Sequence, residues 1–345
     1  MRYFLIFLVV GINGCMNLFA REPAPIRFDA FDGGRVGAKA QSMGFAFTAI
    51  ANNADASFWN PAGLLNLSTN IFSISLDAIR QSRLSTQEII RGEPLRGRRL
   101  TFLVFAGQNG AIGFRPLSDI DETIILDSTD PDRNYEKREV KINSFFLSAA
   151  SAYNDAMNMG ITVAYLNGRL GTVRTEQGST ASIGLDDGNG IKVDWSLLYK
   201  PNDVIAMGIT GQNLPGIIWW GDYEKTTIPV FMQAGFMVRL TGLMSITYDY
   251  EKRFYRDGRD RPQIDHIGME HIVTEYLKIR GGMYGEELND TESVHYTAGL
   301  GYVKGGYFVD IAMDTYKQLD DNELVAIYDY LVSISIPFAS IQPRR

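Results

Sequence analysis

Ile228-Pro229-Val230-Phe231-Met232-Gln233-Ala234-Gly235-Phe236-Met237-Val238-Arg239-Leu240 alternates. Val230, Met232, Ala234, Phe236, Val238 and Leu240 form one apolar row. Phe231, Gln233, Gly235, Met237 and Arg239 form a mixed row. Period-two alternation marks a strand with one apolar face, because successive side chains point to opposite sides of a sheet. Ile191, Val193, Trp195, Leu197 and Tyr199 repeat the pattern against Lys192, Asp194, Ser196, Leu198 and Lys200. Val294 to Val303 does the same, and so does the last such stretch, where Tyr328, Tyr330, Val332, Ile334, Ile336 and Phe338 face away from Asp329, Leu331, Ser333, Ser335 and Pro337.

Working outward, about fourteen strands are predicted near 70–79, 98–107, 111–120, 142–153, 157–168, 190–200, 203–212, 228–240, 243–253, 264–273, 276–284, 293–303, 306–313 and 327–338. Turn chemistry joins them in pairs at Gln108-Asn109-Gly110, Asn154-Asp155-Ala156, Pro201-Asn202, Thr241-Gly242, Thr274-Glu275 and Lys304-Gly305. Long polar connections are expected between the pairs, at 80–97, 121–141, 169–189, 213–227, 254–263 and 314–326. Short turns on one edge and long loops on the other describe an up-and-down barrel. A soluble sandwich or propeller also alternates. Tyr and Trp clustered near strand ends, and an aromatic closing the final strand, favour the membrane barrel. The expected fold class is therefore all-β: an antiparallel transmembrane β-barrel of about fourteen strands over 70–338, its lumen plugged by an N-terminal hatch over 21–69, with a short tail at 339–345.

Composition agrees once the pattern is known. Among 345 residues, 45% are hydrophobic, and the mean hydropathy is −0.09. Alternation hides a membrane face in any such average. A net charge of −7 argues against a nucleic-acid partner. One Cys excludes an internal disulfide and every multi-Cys metal site, and no cofactor is expected. Arg2, the apolar run Phe4–Ile12 and small Ala20 read as a cleaved secretory signal over 1–20. A lipoprotein reading with Cys15 lipidated is the alternative. Enzymatic readings lack material. His266 and His271 are five apart, on opposite strand faces, and His295 has no Gly-x-Ser-x-Gly elbow to serve.

Residues 21–69 do not alternate. Gly37-Ala38-Lys39-Ala40, Met43-Gly44-Phe45-Ala46-Phe47 and Asn60-Pro61-Ala62-Gly63-Leu64 punctuate a segment rich in small residues, with Asp55 placed to cap a short helix that Asn60-Pro61 interrupts. This segment resembles the N-terminal hatch of FadL-like outer-membrane transporters, particularly the PorV/PorQ-like branch. Lys39 stands where the family carries Arg, Phe45 where it carries a second Gly, and Asn52-Asn53 where acids are common. The resemblance implies a hatch-gated barrel in the bacterial outer membrane that moves hydrophobic small molecules, such as long-chain fatty acids, by passive diffusion. It carries Asn60, Pro61 and Ala62 over as hatch residues near the substrate path, with the neighbouring rings Phe45, Phe47, Phe58 and Trp59.

Two further sets of residues are candidates. Leu214, Ile217, Ile218, Trp219 and Trp220 form an apolar run in an expected extracellular loop, either a capture site for an amphipathic ligand or a cover for the barrel mouth. Arg115, Lys192, Asp194, Arg239, Asp249, Lys278, Arg280 and Asp310 are expected to face the lumen and to form ion pairs across the wall. Arg239, Lys278 and Arg280 are also candidate contacts for an anionic headgroup. Besides the ligand and membrane lipid, a secretion-system protein is an expected partner in the PorV-like alternative, and a structural or adhesive surface barrel is a third possibility.

Overall fold

The computed structural model describes residues 22–26, 31, 36–78, 98–255, 263–320 and 323–338. The expected signal, Cys15, the connection 80–97 and the tail 339–345 lie outside the described residues. The strand segments are β1 Asn70–Ala78, β2 Arg98–Gly107, β3 Gly110–Ile125, β4 Tyr135–Asn154, β5 Met157–Glu176, β6 Ser179–Tyr199, β7 Ile205–Gln212 and β8 Gly216–Trp220. They continue as β9 Thr226–Thr227, β10 Val230–Arg239, β11 Met244–Phe254, β12 Ile264–Ile272, β13 Leu277–Gly285, β14 His295–Lys304, β15 Tyr307–Asp320 and β16 Glu323–Phe338.

These segments close into an antiparallel barrel of fourteen staves. Closure comes from β1 against β16, with Asn70 opposite Phe338. The count differs from sixteen because two staves are interrupted. β6 pairs with β7 from Tyr199↔Met207 to Trp195↔Gly211, then with β8 from Lys192↔Gly216 to Gly188↔Trp220. β10 pairs with β7, and β9 with β8. The breaks fall at Asn213-Leu214-Pro215 and Ile228-Pro229, where proline cannot donate to the ladder.

Burial is inverted relative to a soluble protein. Ile112, Leu147, Ile161, Ile209 and Leu300 are exposed, while Ser75, Ser144, Thr162, Thr210, Asp249 and Thr297 are buried. Apolar side chains outside and polar ones inside are what a strand wall between lipid and lumen requires. The six short turns lie where the turn chemistry placed them. The opposite edge differs from expectation. β4 and β5 run for 20 residues and β6 for 21, so most of 121–141 and 169–189 is strand rather than loop. A tilted strand needs about 9–11 residues to cross a bilayer. Beyond that height no lipid demands an unbroken apolar row, so the period-two signal fades although pairing continues. The same holds for 314–320 in β15.

Residues 36–69 fill the lumen. Helix α1 (Ala38–Ser42) and helix α2 (Ala56–Trp59) are followed by a 3-10 turn, Pro61–Asn66. Asp55 precedes α2 but its side chain does not cap it. It accepts instead from Asn53 Nδ2 at 2.8 Å. Asn60 breaks the helix in an extended conformation and caps the next turn, accepting from the Ala62 N–H at 3.1 Å. The wall answers the segment's backbone groups. Ser333 accepts from Ala38, Thr297 from Gly44, and Asp249 Oδ2 from both Phe47 (2.9 Å) and Thr48 (2.7 Å). Wall glycines make room for it: a Cβ on Gly160, Gly208 or Gly268 would strike the backbone of Ala62, Thr48 or Met43.

Candidate functional site

A cavity of about 190 Å³ lies between this lumen segment and the wall. Phe45, Phe58 and Trp59 supply its floor. Phe58 meets Trp59 edge-on with centroids 4.9 Å apart, Trp59 lies 5.6 Å from Phe45, and Phe45 meets Tyr284 of β13 edge-on at 5.3 Å. Trp59 is oriented by donating Nε1–H to the Val36 carbonyl at 2.9 Å. Phe31, Leu117, Phe231 and Ile264 complete the apolar lining.

The remaining lining is polar. Arg115 comes from β3, Lys192 from β6, Glu251 and Arg253 from β11, and His266 from β12. Arg115 places its guanidinium over the Phe58 ring at 4.4 Å, and Arg253 over the Phe231 ring at 4.8 Å. Lys192 Nζ donates to Asp194 at 2.5 Å. Glu251 receives Arg253 Nε at 2.5 Å and Gln233 Nε2 at 3.1 Å. His266 Nδ1 lies 2.7 Å from the Gly44 carbonyl, which can only accept, so that nitrogen carries the proton. From His266 a row of stacked rings runs across four strands: Tyr284, then His295 at 4.4 Å, then Tyr316 at 4.3 Å. Tyr284 Oη donates to Asp314 at 2.8 Å.

Phe45 has a φ of +62°, the left-handed region that disfavours a bulky side chain. Holding an aromatic residue in this conformation carries a strain cost of about 1–2 kcal/mol.

The expected site residues distribute unevenly around this cavity. Phe45, Phe58 and Trp59 line it. Phe47 is fully buried beside Met43 and Ile50 and does not. Asn60 acts one layer behind, donating Nδ2–H to the carbonyls of Thr48 (2.7 Å) and Leu197 (3.1 Å), while the Ala62 N–H also reaches Ser196 Oγ at 2.9 Å. Pro61 opens the 3-10 turn that follows. The apolar run expected in a loop is mostly strand β8. Ile218 and Trp220 point inward into a cluster with Phe31, Ile142, Leu166 and Ile228, whereas Trp219 and Leu214 are exposed.

The three expected headgroup cations lie elsewhere. Arg239 is exposed at the short-turn end of β10 and Lys278 is half-buried on β13. Arg280 is buried between Glu270 (2.7 Å) and Asp310 (2.6 Å), and Glu270 also lies 3.5 Å from Lys39 of α1. This network ties the lumen segment to the wall. The cavity residues Phe231, Gln233, Glu251, Arg253, His266 and Tyr284 were not singled out as site residues from sequence. Parity offered a signal for four of them, since 231 and 233 share a face with Arg239, and 251 and 253 share one with Asp249.

No family model matches the sequence, and no curated protein matches it. Solved structures do match. The CymD monoaromatic hydrocarbon channel aligns with a TM-score of 0.60 at 15% identity, over 89% of this chain and 98% of its own. The toluene transporter TodX of P. putida aligns with a TM-score of 0.61 at 14% identity, over 88% and 99%. A Pseudomonas aeruginosa FadL homologue gives 0.55 at 12% identity, over 87% and 97%. Likeness at this level of identity is likeness of fold, and the fold of this chain is the fourteen-stranded FadL-like barrel.

Proposed function

We propose that the protein is a bacterial outer-membrane channel for hydrophobic small molecules, with residues 36–69 as its hatch. The observation that carries this reading is the aromatic-floored cavity between hatch and wall in a barrel whose outer face is apolar. The barrels it resembles include a toluene transporter and a monoaromatic hydrocarbon channel. A ligand would enter at the long-strand end past Ile218 and Trp220, rest on Phe45, Phe58 and Trp59, and leave when the hatch shifts on its Asn60 and Asp249 contacts. Cells exporting the protein should accumulate labelled toluene or oleate faster than cells lacking it. Equal rates for both compounds would overturn the proposal.

A second reading, a barrel that binds an exported protein, draws on a different feature. Beyond the membrane band, β3–β6 continue as a ribbon whose outward face carries Val173 opposite Ile183 and Leu185 opposite Gly171. Ile183 and Leu185 are 68% and 74% exposed. A stoichiometric protein partner co-purifying through this ribbon, with no labelled hydrocarbon taken up, would favour it.

A further inference from the structure

The outward face of β5 and β6 carries, beyond the membrane band, a pattern that lipid does not explain. We infer that it is the contact on which a second copy of this chain docks, around a two-fold axis that runs along the membrane normal between these two strands. The inference rests on the barrel lying in a membrane and is independent of what passes through it.

Position removes lipid as the reason for the apolar residues. On the outward face, the level of Phe145, Tyr165 and Ile191 is followed by a level of Asn143, Asn167 and Asn189, where the apolar wall ends. Past these amides come three more levels: Arg169 opposite Asp187, Gly171 opposite Leu185, and Val173 opposite Ile183. Ile183 and Leu185 are more exposed than Ile161 or Ile209 on the lipid-facing wall. Large aliphatic side chains bare to water mark a contact surface.

Symmetry selects the occupant. Copies inserted in one membrane share one orientation, so a closed pair has its two-fold axis along the membrane normal, and each level of one copy meets the same level of the other. An axis between β5 and β6 sets β5 residues of one copy against their β6 ladder partners in the other. All three levels then match. Arg169 meets Asp187 twice across the axis, closing a ring of four alternating charges from two pairs that are each 3.1 Å apart within their own chain. Leu185 enters the space over Gly171, which has no side chain to oppose it, and Val173 meets Ile183. The levels span about 13 Å along the strands, short enough for two tilted ribbons to stay in contact where they cross. An axis one ladder away, between β4 and β5, would instead set Lys141 against Arg169 and Lys137 against Val173. The membrane has already fixed height and orientation, which lowers the cost of association for a small patch.

Fluorescence energy transfer between differently labelled full-length copies in lipid vesicles tests this. The parent should associate. Arg169 and Asp187 are 68% and 71% exposed, so reversing either charge leaves folding intact. Asp187→Arg and Arg169→Asp should each weaken self-association about tenfold or more, because like charges then meet twice across the axis. Raising salt should shrink that loss. Mixing the two variants should restore transfer, since each presents the charge that the other lacks, whereas damage confined to one chain would persist in the mixture. A monomeric parent, single variants that associate like the parent, or a mixture that stays apart would each overturn the inference and leave the transport reading untouched. A different protein co-purifying on the ribbon, with no transfer between copies, would overturn it as well.

Discussion

Gly282 of β13 and Gly44 of the lumen segment touch backbone to backbone: a Cβ on Gly282 would lie 2.4 Å from the Gly44 amide nitrogen. The reverse is also true, since a Cβ on Gly44, at φ +60°, would meet the Met283 backbone at 2.7–2.8 Å. Gly268 on β12 closes the other side against the Met43 carbonyl at 2.5 Å. The turn Met43–Phe45, which presents Phe45 to the cavity, is thus seated between two wall strands with no side chain intervening.

Gly282→Ala should unseat that turn. The clash is with backbone, so the segment must move, because β13 is held on both sides by β12 and β14. The barrel should still assemble and show the heat-shifted mobility of a folded barrel on gels. Single-channel conductance in planar bilayers should rise, and amide protection over 43–48 should fall. Conductance and protection both matching the parent would refute this account of the seating.

Asn60 satisfies three backbone groups of the lumen and the wall. Asn60→Ala removes the donor to the buried Thr48 carbonyl, at about 1–3 kcal/mol for an unsatisfied group, and a second bond to the part-buried Leu197 carbonyl. Loosening should centre on 46–64, read as at least about tenfold faster hydrogen exchange there than in the parent. Asn60→Asp keeps the acceptor for the Ala62 N–H and loses both donors, so its effect should be no smaller. Exchange unchanged in both variants would show that the other wall contacts, from Asp249, Thr297, Ser333 and Ser196, hold the segment without Asn60.

The barrel was legible in the sequence because its lipid face imposes a strict period, and Ile228–Leu240 is enough to show it. Five of the six short turns followed from Gly, Asn, Pro and Asp at predictable offsets, and the sixth is Thr274-Glu275. Two things were not legible. The ribbon halves of β4, β5 and β6 carry only scattered apolar residues, such as Val173, Ile183 and Leu185, and no continuous apolar row, so the alternation that marks the other strands is missing there. The cavity is the meeting of the lumen segment and five or more strands, and nothing local distinguishes Arg253 from any other lumen-facing cation. Phe45, Phe58 and Trp59, which line the cavity, stood out in the sequence because they lie in a segment that does not alternate. Of the candidate headgroup cations, Arg280 is matched by Glu270 and Asp310, a pairing across strands that one strand's sequence does not reveal.

Phe45→Gly should separate strain from function. Glycine adopts φ near +62° freely, so the backbone is relieved by about 1–2 kcal/mol. Against this, the ring's contacts with Trp59 and Tyr284 are lost. Thermal stability should therefore change little, while affinity for any ring ligand drops several-fold as the floor of the cavity opens. A large fall in stability would mean that packing at Phe45 outweighs its backbone strain.

Membrane orientation is testable on one strand pair. Leu300 faces outward on β14, opposite Ile311, and Tyr307 faces outward beside the Gly305-Gly306 turn. Leu300→Arg should cost about 2–4 kcal/mol of folding into bilayers, and Tyr307→Arg about 0–1 kcal/mol, because the penalty falls towards the interface. Refolding into lipid vesicles under a urea series gives both values. Equal costs at the two positions would contradict the assigned membrane band.

Asp55 gives the lumen segment a pH dependence of definite sign. Its carboxyl is fully buried, with Oδ1 lacking a hydrogen-bond partner, and burial pushes its pKa from 3.8 up to about 6 against the lowering effect of the Asn53 bond. Between those two values the folded protein holds a proton at Asp55 that the unfolded chain releases. Stability therefore falls as pH rises through this window and is constant above it, a loss of about 3 kcal/mol. Asp55→Asn cannot ionise, so its stability should be flat over the same range and should exceed the parent's at pH 8. Thermal unfolding midpoints at pH 4 and pH 8 compare the two proteins directly, and parallel pH profiles would show that Asp55 is ionised at no stability cost.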